Sequence, residues 1–549
     1  MKKQYAILAL ILFSFGLGSF VTYVAEEITA EDIRAVAKVI GLEMSQAEID
    51  SLLPGVTELR SDYEENRENL PDNAVAPALI FNPVIPGYDL PAEQEPLVFA
   101  KPEGVVIPEN KNELAFFSVR ELAELIRTRQ VTSVELTRFF IERLKKHDPT
   151  LQCVISYTEE LAMEQARRAD RELEEGKYRG LLHGIPYGAK DLLATKTYKT
   201  TWGAMPYKDQ VLDYDATVIQ KLEEAGAVLV AKLTLGALAW GDVWYGGKTR
   251  NPWDTETGSS GSSAGSASAV AAGLVPFAIG TETLGSIVSP STVCGTTGLR
   301  PTFGRVSRHG AMALVWSMDK IGPICRTVED CGMVLAAIQG SDDKDPSVRD
   351  VPFNYDTGTD PTGLRVGYLK GAFEGNYPFK QQDSLALETL RSLGFELIPI
   401  ELPEMPNLGM ILSVEAAAAF DELTLSGKDD LMVRQIRNAW PNVFREARFV
   451  PAVEYLQANR LRNELMNEMG KVFEQVDVYV HPSWASSSLG ITNYTGHPCV
   501  VLPNGFQENG RPTSITFTGD LFREGEVMSV ARAYQEATEW NERHPEAFQ

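Results

Sequence analysis

Residues 257–301 read TGSSGSSAGSASAVAAGLVPFAIGTETLGSIVSPSTVCGTTGLRP. Gly, Ser and Ala are so dense in the first part that large side chains cannot be its purpose. Backbone and small hydroxyls can approach a ligand, or one another, closely there. A short apolar run, Val275 to Ile279, reads as a buried strand and gives way to a turn, Gly280-Thr281-Glu282-Thr283-Leu284-Gly285-Ser286. Ser262 and Ser286 sit 24 positions apart at the two ends of this unit. A Ser/Gly-rich linker would not continue into core-forming Ala and Val. A phosphate-cradling loop would end in Lys-Ser/Thr, and no Lys occurs between Lys248 and Lys320. Ser286, in Leu-Gly-Ser-Ile-Val, is not in a G-x-S-x-G elbow. On composition alone, a catalytic and a structural reading both stand.

Three motifs, taken together, say more. They are His183-Gly184-Ile185-Pro186-Tyr187-Gly188-Ala189-Lys190-Asp191, Gly261-Ser262-Ser263-Ala264-Gly265 and Gly280 to Ser286, with Asn251-Pro252-Trp253 and Gly298-Leu299-Arg300-Pro301-Thr302 nearby. In wording, order and spacing they resemble the amidase signature family, whose serine hydrolases use a Ser–Ser–Lys triad. The resemblance runs from about Phe117 to the C-terminus. It implies an α/β fold with a mixed β-sheet core covered by helices. It also implies roles: Ser286 as nucleophile, Ser262 in a cis peptide as bridge, Lys190 as base, and the backbone N–H groups of Thr283, Leu284, Gly285 and Ser286 as oxyanion hole. Ser263, Thr281 and Glu282 are candidate supports, with a purely structural role equally open. Three departures bear on the substrate rather than the machinery. Ala264 and Leu284 stand where glycines are usual, and Val288 replaces a common Arg. The wording after Thr281 looks closer to the peptide-amidase-like branch than to the tRNA-dependent amidotransferase branch.

A serine hydroxyl needs a base, and a lysine serves only when neutral, which burial can arrange. Lys190 sits in what reads as a Gly/Pro-rich, weakly charged turn. Beside Asp191 it would, without the motif, read as half of a surface ion pair. No His lies in either serine motif, although His183 and His497 can still approach in space; His497 reads more simply as a packed loop residue. Trp240, Trp244 and Tyr245 fit either a pocket wall or the core.

The chain has 549 residues and a net charge of −24, an acidity that argues against a partner held through phosphates. Five cysteines with no C-x-x-C and six scattered histidines give neither a disulfide framework nor a metal site, and no cofactor motif is visible. Cys325 and Cys331 are close in sequence, but an apolar packing role fits them better than a bridge.

Met1-Lys2-Lys3 precedes an apolar run to about Val24. Residues 1–25 are therefore expected to be a signal peptide or an uncleaved membrane anchor, which places the rest outside the cytoplasm, in the periplasm or envelope, or secreted. Residues 26–70 read as a helical hairpin. Thr29 with Asp32, and Ser45 with Glu48, are capping-box pairs, and Pro54 is expected to kink or interrupt the second helix. The hairpin resembles the small C subunit that wraps the amidase subunit of tRNA-dependent amidotransferases; a capping helical segment is the alternative. Residues 71–111 hold eight prolines between Leu70 and Pro108, so they form an extended strap. Leu79, Ile80, Phe81, Val84 and Ile85 suggest that it lies on the enzyme surface.

Residues 112–549 form the catalytic domain. Helices are expected over 119–128, 133–146 and 161–176, and strands over 227–231, 275–279, 364–369 and 476–480. The function expected is an exported amidohydrolase that cleaves carboxamide C–N bonds of small-molecule or peptide amides through an acyl-enzyme. The alternatives are an amidotransferase-type subunit that releases ammonia for a partner, and a non-catalytic envelope protein.

Overall fold

The computed structural model describes residues 28–549, so the expected export segment lies outside the described residues. The chain divides into two compact units, one ending at Leu70 and one starting at Pro71. Among the described residues no helix is long and apolar enough to cross a membrane.

The first unit contains helices Ala30–Val39 and Gln46–Arg67, and both open on the expected capping boxes. The Asp32 carboxylate accepts the Thr29 N–H while Thr29 Oγ1 accepts the Asp32 N–H. Ser45 and Glu48 repeat the exchange, so donors left over at each helix start are satisfied. Of the expected kink or interruption at Pro54, the interruption does not occur, and the helix runs through it. Proline removes one donor, and the carbonyl it orphans belongs to Asp50, an exposed residue whose backbone water can reach.

The second unit is built on an eleven-stranded mixed sheet. Across it lie Val154–Tyr157, Val228–Leu233, Pro186–Lys190, Phe277–Glu282, Lys320–Cys325, Thr297–Arg300, Cys499–Phe506, Pro512–Gly519, Val478–Pro482, Val366–Leu369 and Leu397–Ile400. Pro186–Lys190 runs parallel to both of its neighbours, while Phe277–Glu282 and Lys320–Cys325 are antiparallel. Helices cover the sheet. Val119–Arg127 buries Leu122, Leu125 and Ile126 and is capped by Ser118 and Glu121. Ser133–Leu151 runs past Lys146, where its apolar pattern fades, through Pro149 in its last turn. The five cysteines are free and buried.

The four expected strands begin one or two residues later than their apolar runs suggest, and all but Val366–Leu369 end two or three residues later. Val228–Leu233 takes in Lys232, Phe277–Glu282 takes in Gly280-Thr281-Glu282, and Val478–Pro482 takes in His481. Polar side chains at strand ends look like turn residues in a sequence; here they are buried and bonded to one another. Two expectations change accordingly. Lys190 is the last residue of a fully buried strand rather than part of a turn, and the turn before Ser286 starts only at Thr283.

The proline-rich strap has no helix or long strand from Pro71 to Asn110. The expectation that its apolar residues hold it on the surface is met in part. Phe81 packs edge-on against Phe303 (5.0 Å) beneath the Arg462 guanidinium (3.5 Å). Leu79 and Ile80 are exposed.

Candidate active site

Three segments that are far apart in sequence meet at the ends of neighbouring strands. Strand 186–190 delivers Lys190, strand 277–282 delivers Thr281 and Glu282, and the segment before helix Ala264–Ala271 delivers Ser262 and Ser263. The Lys190 amine nitrogen lies within hydrogen-bond distance of Ser262 Oγ (2.8 Å), Thr281 Oγ1 (2.8 Å), Ser263 Oγ (3.1 Å) and the Thr281 carbonyl (3.4 Å). The Gly261–Ser262 peptide is cis. The Ser263 N–H donates to the Ser286 carbonyl (3.2 Å), which ties the second serine motif to the first. Ser263 Oγ also donates to the Thr281 carbonyl and accepts its N–H, both at 3.1 Å. That approach requires a glycine at 280, where a Cβ would stand 2.9 Å from Ser263 Oγ.

Lys190 is fully buried. Burial lowers its pKa to about 7, against the opposing pull of Asp319 and Glu282. Asp191 does not neutralise it, contrary to the surface ion pair that their adjacency suggests. Successive side chains at the end of a strand point to opposite faces. Asp191 turns away to Lys232 (2.9 Å) and to the Thr201 N–H and hydroxyl (2.8 and 2.6 Å). That pairing leaves Lys190 among neutral oxygens, where an uncharged amine is favoured.

Glu282 holds the turn that carries Ser286. One carboxylate oxygen accepts the N–H groups of Ile287 (2.8 Å) and Val288 (3.0 Å). The other accepts Arg300 Nη1 and Asn493 Nδ2, each at 2.8 Å. Burial would raise its pKa, but the Arg300 guanidinium, the Val288 N–H and Lys320 outweigh it and hold the carboxyl down to about 2. Removing one partner of a buried pair typically costs about 3–5 kcal/mol, because the other charge is left uncompensated. Glu282→Ala is therefore expected to lose about that much stability in urea unfolding. A loss below about 1 kcal/mol would show that the pair does not anchor the turn.

The turn itself needs Gly285, whose φ is +83°; that region is costly for other residues. Leu284, one of the departures, is 41 % exposed, so its side chain does not crowd the turn. Thr283 donates through its hydroxyl to Asp319 (2.5 Å), whose second oxygen accepts the N–H groups of Leu314 (2.8 Å) and Val315 (3.0 Å). Beside Thr281 and Thr283 a cleft of about 70 Å³ opens, walled also by Leu192, Met312 and Trp316.

His183 and His497 are bonded elsewhere than to Lys190, Ser262 or Ser286, while His309 lines the cleft. His183 Nε2 donates to the Ala169 carbonyl (2.9 Å) and its Nδ1 accepts the Arg179 N–H. His497 bonds Thr495 (2.8 Å) and stacks on Phe473; burial, then Arg300, lowers its pKa to about 3. Trp240 lies under Arg434 and against Trp440. Among the described residues no group of His, Cys, Asp or Glu is placed to hold a metal. Sequence reasoning missed Asp319 and Lys232, and Arg300 and Asn493 stand out in it only as landmarks. Each acts through a partner distant in the chain, and no local pattern marks such a contact.

Comparison with known proteins adds to this geometry. A sequence model of a family described as Amidase matches residues 135–528. The A subunit of the glutamyl-tRNA(Gln) amidotransferase of Coxiella burnetii (strain RSA 493 / Nine Mile phase I) is 33% identical over 478 residues, covering 78% of this chain and 99% of that protein. The native peptide amidase from Stenotrophomonas maltophilia superposes with a TM-score of 0.70 at 28% identity, over 78% of this chain and 98% of that one. An amidase family protein from Bacillus anthracis str. Ames gives 0.72 at 28% identity, over 83% and 100%.

Proposed function

The chain belongs to the amidase family, and we propose that it is a serine amidohydrolase that cleaves carboxamide C–N bonds through an acyl-enzyme on Ser286. The observation that carries this reading is the buried Lys190 amine on Ser262 Oγ at 2.8 Å, with Ser263 of the same segment bonded to the Ser286 carbonyl. In the mechanism Ser286 Oγ attacks the amide carbon, passes its proton to Ser262, and Ser262 passes its own to neutral Lys190. Backbone N–H groups of Thr283 to Ser286 hold the developing oxyanion, a device worth about 3 kcal/mol per donor. The proton returns through Ser262 to the leaving nitrogen as the C–N bond breaks. Water then repeats the sequence and releases the acid.

The test is a panel of small and peptide-like amides, scored for release of ammonia or amine. Turnover that disappears in Ser286→Ala supports the reading, and a folded protein inert on the whole panel counts against it. A second reading rests on the 33% identity to one component of an amidotransferase: ammonia made here would pass to a partner. Co-purification with a nucleotide-dependent partner would favour it; the charge of −24 disfavours a nucleic-acid-bound assembly.

Export belongs to the same proposal, since two lysines precede a long apolar run at the start of the chain. Fractionated cells that express the full chain are expected to hold it in the envelope or outside. Deletion of residues 1–25 is expected to leave active protein in the cytosol. Full-length protein found only in the cytosol would end this part of the proposal.

A further inference from the structure

The strap reaches the cleft. The Asn73 carboxamide grips one residue of the cleft wall from both sides: Nδ2 donates to the Ala313 carbonyl (2.8 Å) and Oδ1 accepts the Ala313 N–H (2.8 Å). Nδ2 also reaches the Ala419 carbonyl (3.2 Å). The turn that presents it is fixed by Asp72, whose Oδ1 accepts the Ala74 N–H (2.9 Å) and whose carbonyl accepts the Val75 N–H (3.1 Å). Pro71 and Pro77 flank the turn and limit the conformations it can leave for. Asn73, Ala74 and Ala76 line the same cavity as Thr281 and Thr283. This wall lies outside the family match, which begins at residue 135.

On the reading that Ser286 is the nucleophile, we propose that Asn73 is a specificity-determining residue, which pins the strap across the cleft and limits the enzyme to amides of short, apolar acyl groups. The leaving nitrogen must face Ser262, which returns its proton. The cavity abuts Thr283 of the oxyanion turn as well as Thr281, and on this reading it receives the acyl side. Its volume of about 70 Å³ is small against the roughly 300–1,000 Å³ of ordinary ligand pockets. Most of the charged groups around it already have partners, the Lys344 side chain excepted. Arg308 is held by Asp345 (2.9 Å), Lys320 by the Met318 carbonyl, and Asp319 by Thr283 and two backbone N–H groups. A neutral, short chain fits that lining better than a charged one.

Alkyl fluorophosphonates test this on the full chain. The Ser286 oxygen forms a P–O bond, fluoride leaves from phosphorus, and the serine proton passes to Ser262 and Lys190. Second-order labelling rates would be compared for an ethyl and a dodecyl probe, in wild type and Asn73→Ala, by intact mass. Wild type is expected to favour the ethyl probe by about a hundredfold, in the range that one misfit methylene already reaches. Asn73→Ala is expected to reduce that preference by about tenfold or more, through faster dodecyl labelling. Circular dichroism and urea unfolding of the variant are the folding control. Equal rates for both probes in wild type, or an unaltered preference in the variant, overturns the proposal. So does a parallel fall of both rates, which would make Asn73 a support of the Ala313–Asp319 wall and not a size limit. If neither probe labels wild type at Ser286, the catalytic reading falls and this inference with it, an outcome distinct from labelling without selectivity.

Discussion

Ser286→Ala is expected to fold normally and to lose amide hydrolysis by a factor on the order of a millionfold, the scale seen when one member of a serine triad is removed. The fold should survive because Ser286 serves it through the backbone carbonyl that accepts the Ser263 N–H, and alanine keeps that carbonyl. The turn is held by Glu282 on the N–H groups of Ile287 and Val288 and by Gly285, none of which uses the Ser286 hydroxyl. Initial rates on the best amide of the panel, with circular dichroism and urea unfolding as controls, would check this. Ser262→Ala should be less complete, since Lys190 and the oxyanion turn remain. A folded Ser286→Ala protein that kept most of its activity would remove Ser286 from the chemistry, and the acyl-enzyme with it.

How much of this site a sequence reader can see depends on how local the cause is. The 24-residue spacing of Ser262 and Ser286 is visible because each serine sits in a short motif built on glycine and small side chains. The capping boxes at Thr29 and Ser45 are visible because the partner is always three residues on. Lys190 is different. Its motif names it, but its neutrality comes from burial, with Asp191 turned to Lys232 on the next strand, a pairing that spans 41 residues. Adjacent charges in a sequence suggest a pair; on a strand they are placed on opposite faces. The same holds for Arg300, Asn493 and Glu282, brought together across the sheet. Asn73 is the extreme case, with its partner 240 residues away.

The strand ends teach a related lesson. Apolar runs locate the middle of each strand, since that is where side chains are removed from water. The last residues of a strand that meets a site must be polar to do chemistry, so a hydropathy pattern stops short of them. Thr281, Glu282 and Lys190 are strand residues that read as turn. Pro54 misleads in the opposite direction, because an exposed helix lets water replace the lost donor.

The pH dependence follows from Lys190. A free lysine with a pKa near about 10.4 would be neutral in only about one molecule in a thousand at about pH 7.4. Burial lowers the pKa of Lys190 to about 7, so roughly 70 % is neutral at about pH 7.4 and competent as a base. The protonated form predominates below that value and cannot accept the Ser262 proton. Activity, as kcat/KM, is therefore expected to climb with pH to a plateau, with the midpoint of the ascending limb near about 7. Lys190→Ala is expected to lose about 10²–10⁴-fold at the plateau, the usual contribution of a positioned base, and its residual activity should lack the limb. His183, His481 and His497 are poor competitors. Burial takes His481 to about 4 and His497 to about 3, and His183 is pinned to the Ala169 carbonyl. Asp383 is the serious competitor, since burial raises its carboxyl to about 7. It is bonded to Asn504 (2.6 Å) in a cavity lined by Tyr377 and Trp484, away from the triad. Asp383→Asn must then leave the limb in place. A limb that survives in Lys190→Ala and vanishes in Asp383→Asn would move the titration out of the active site and leave Lys190 as a charged structural anchor.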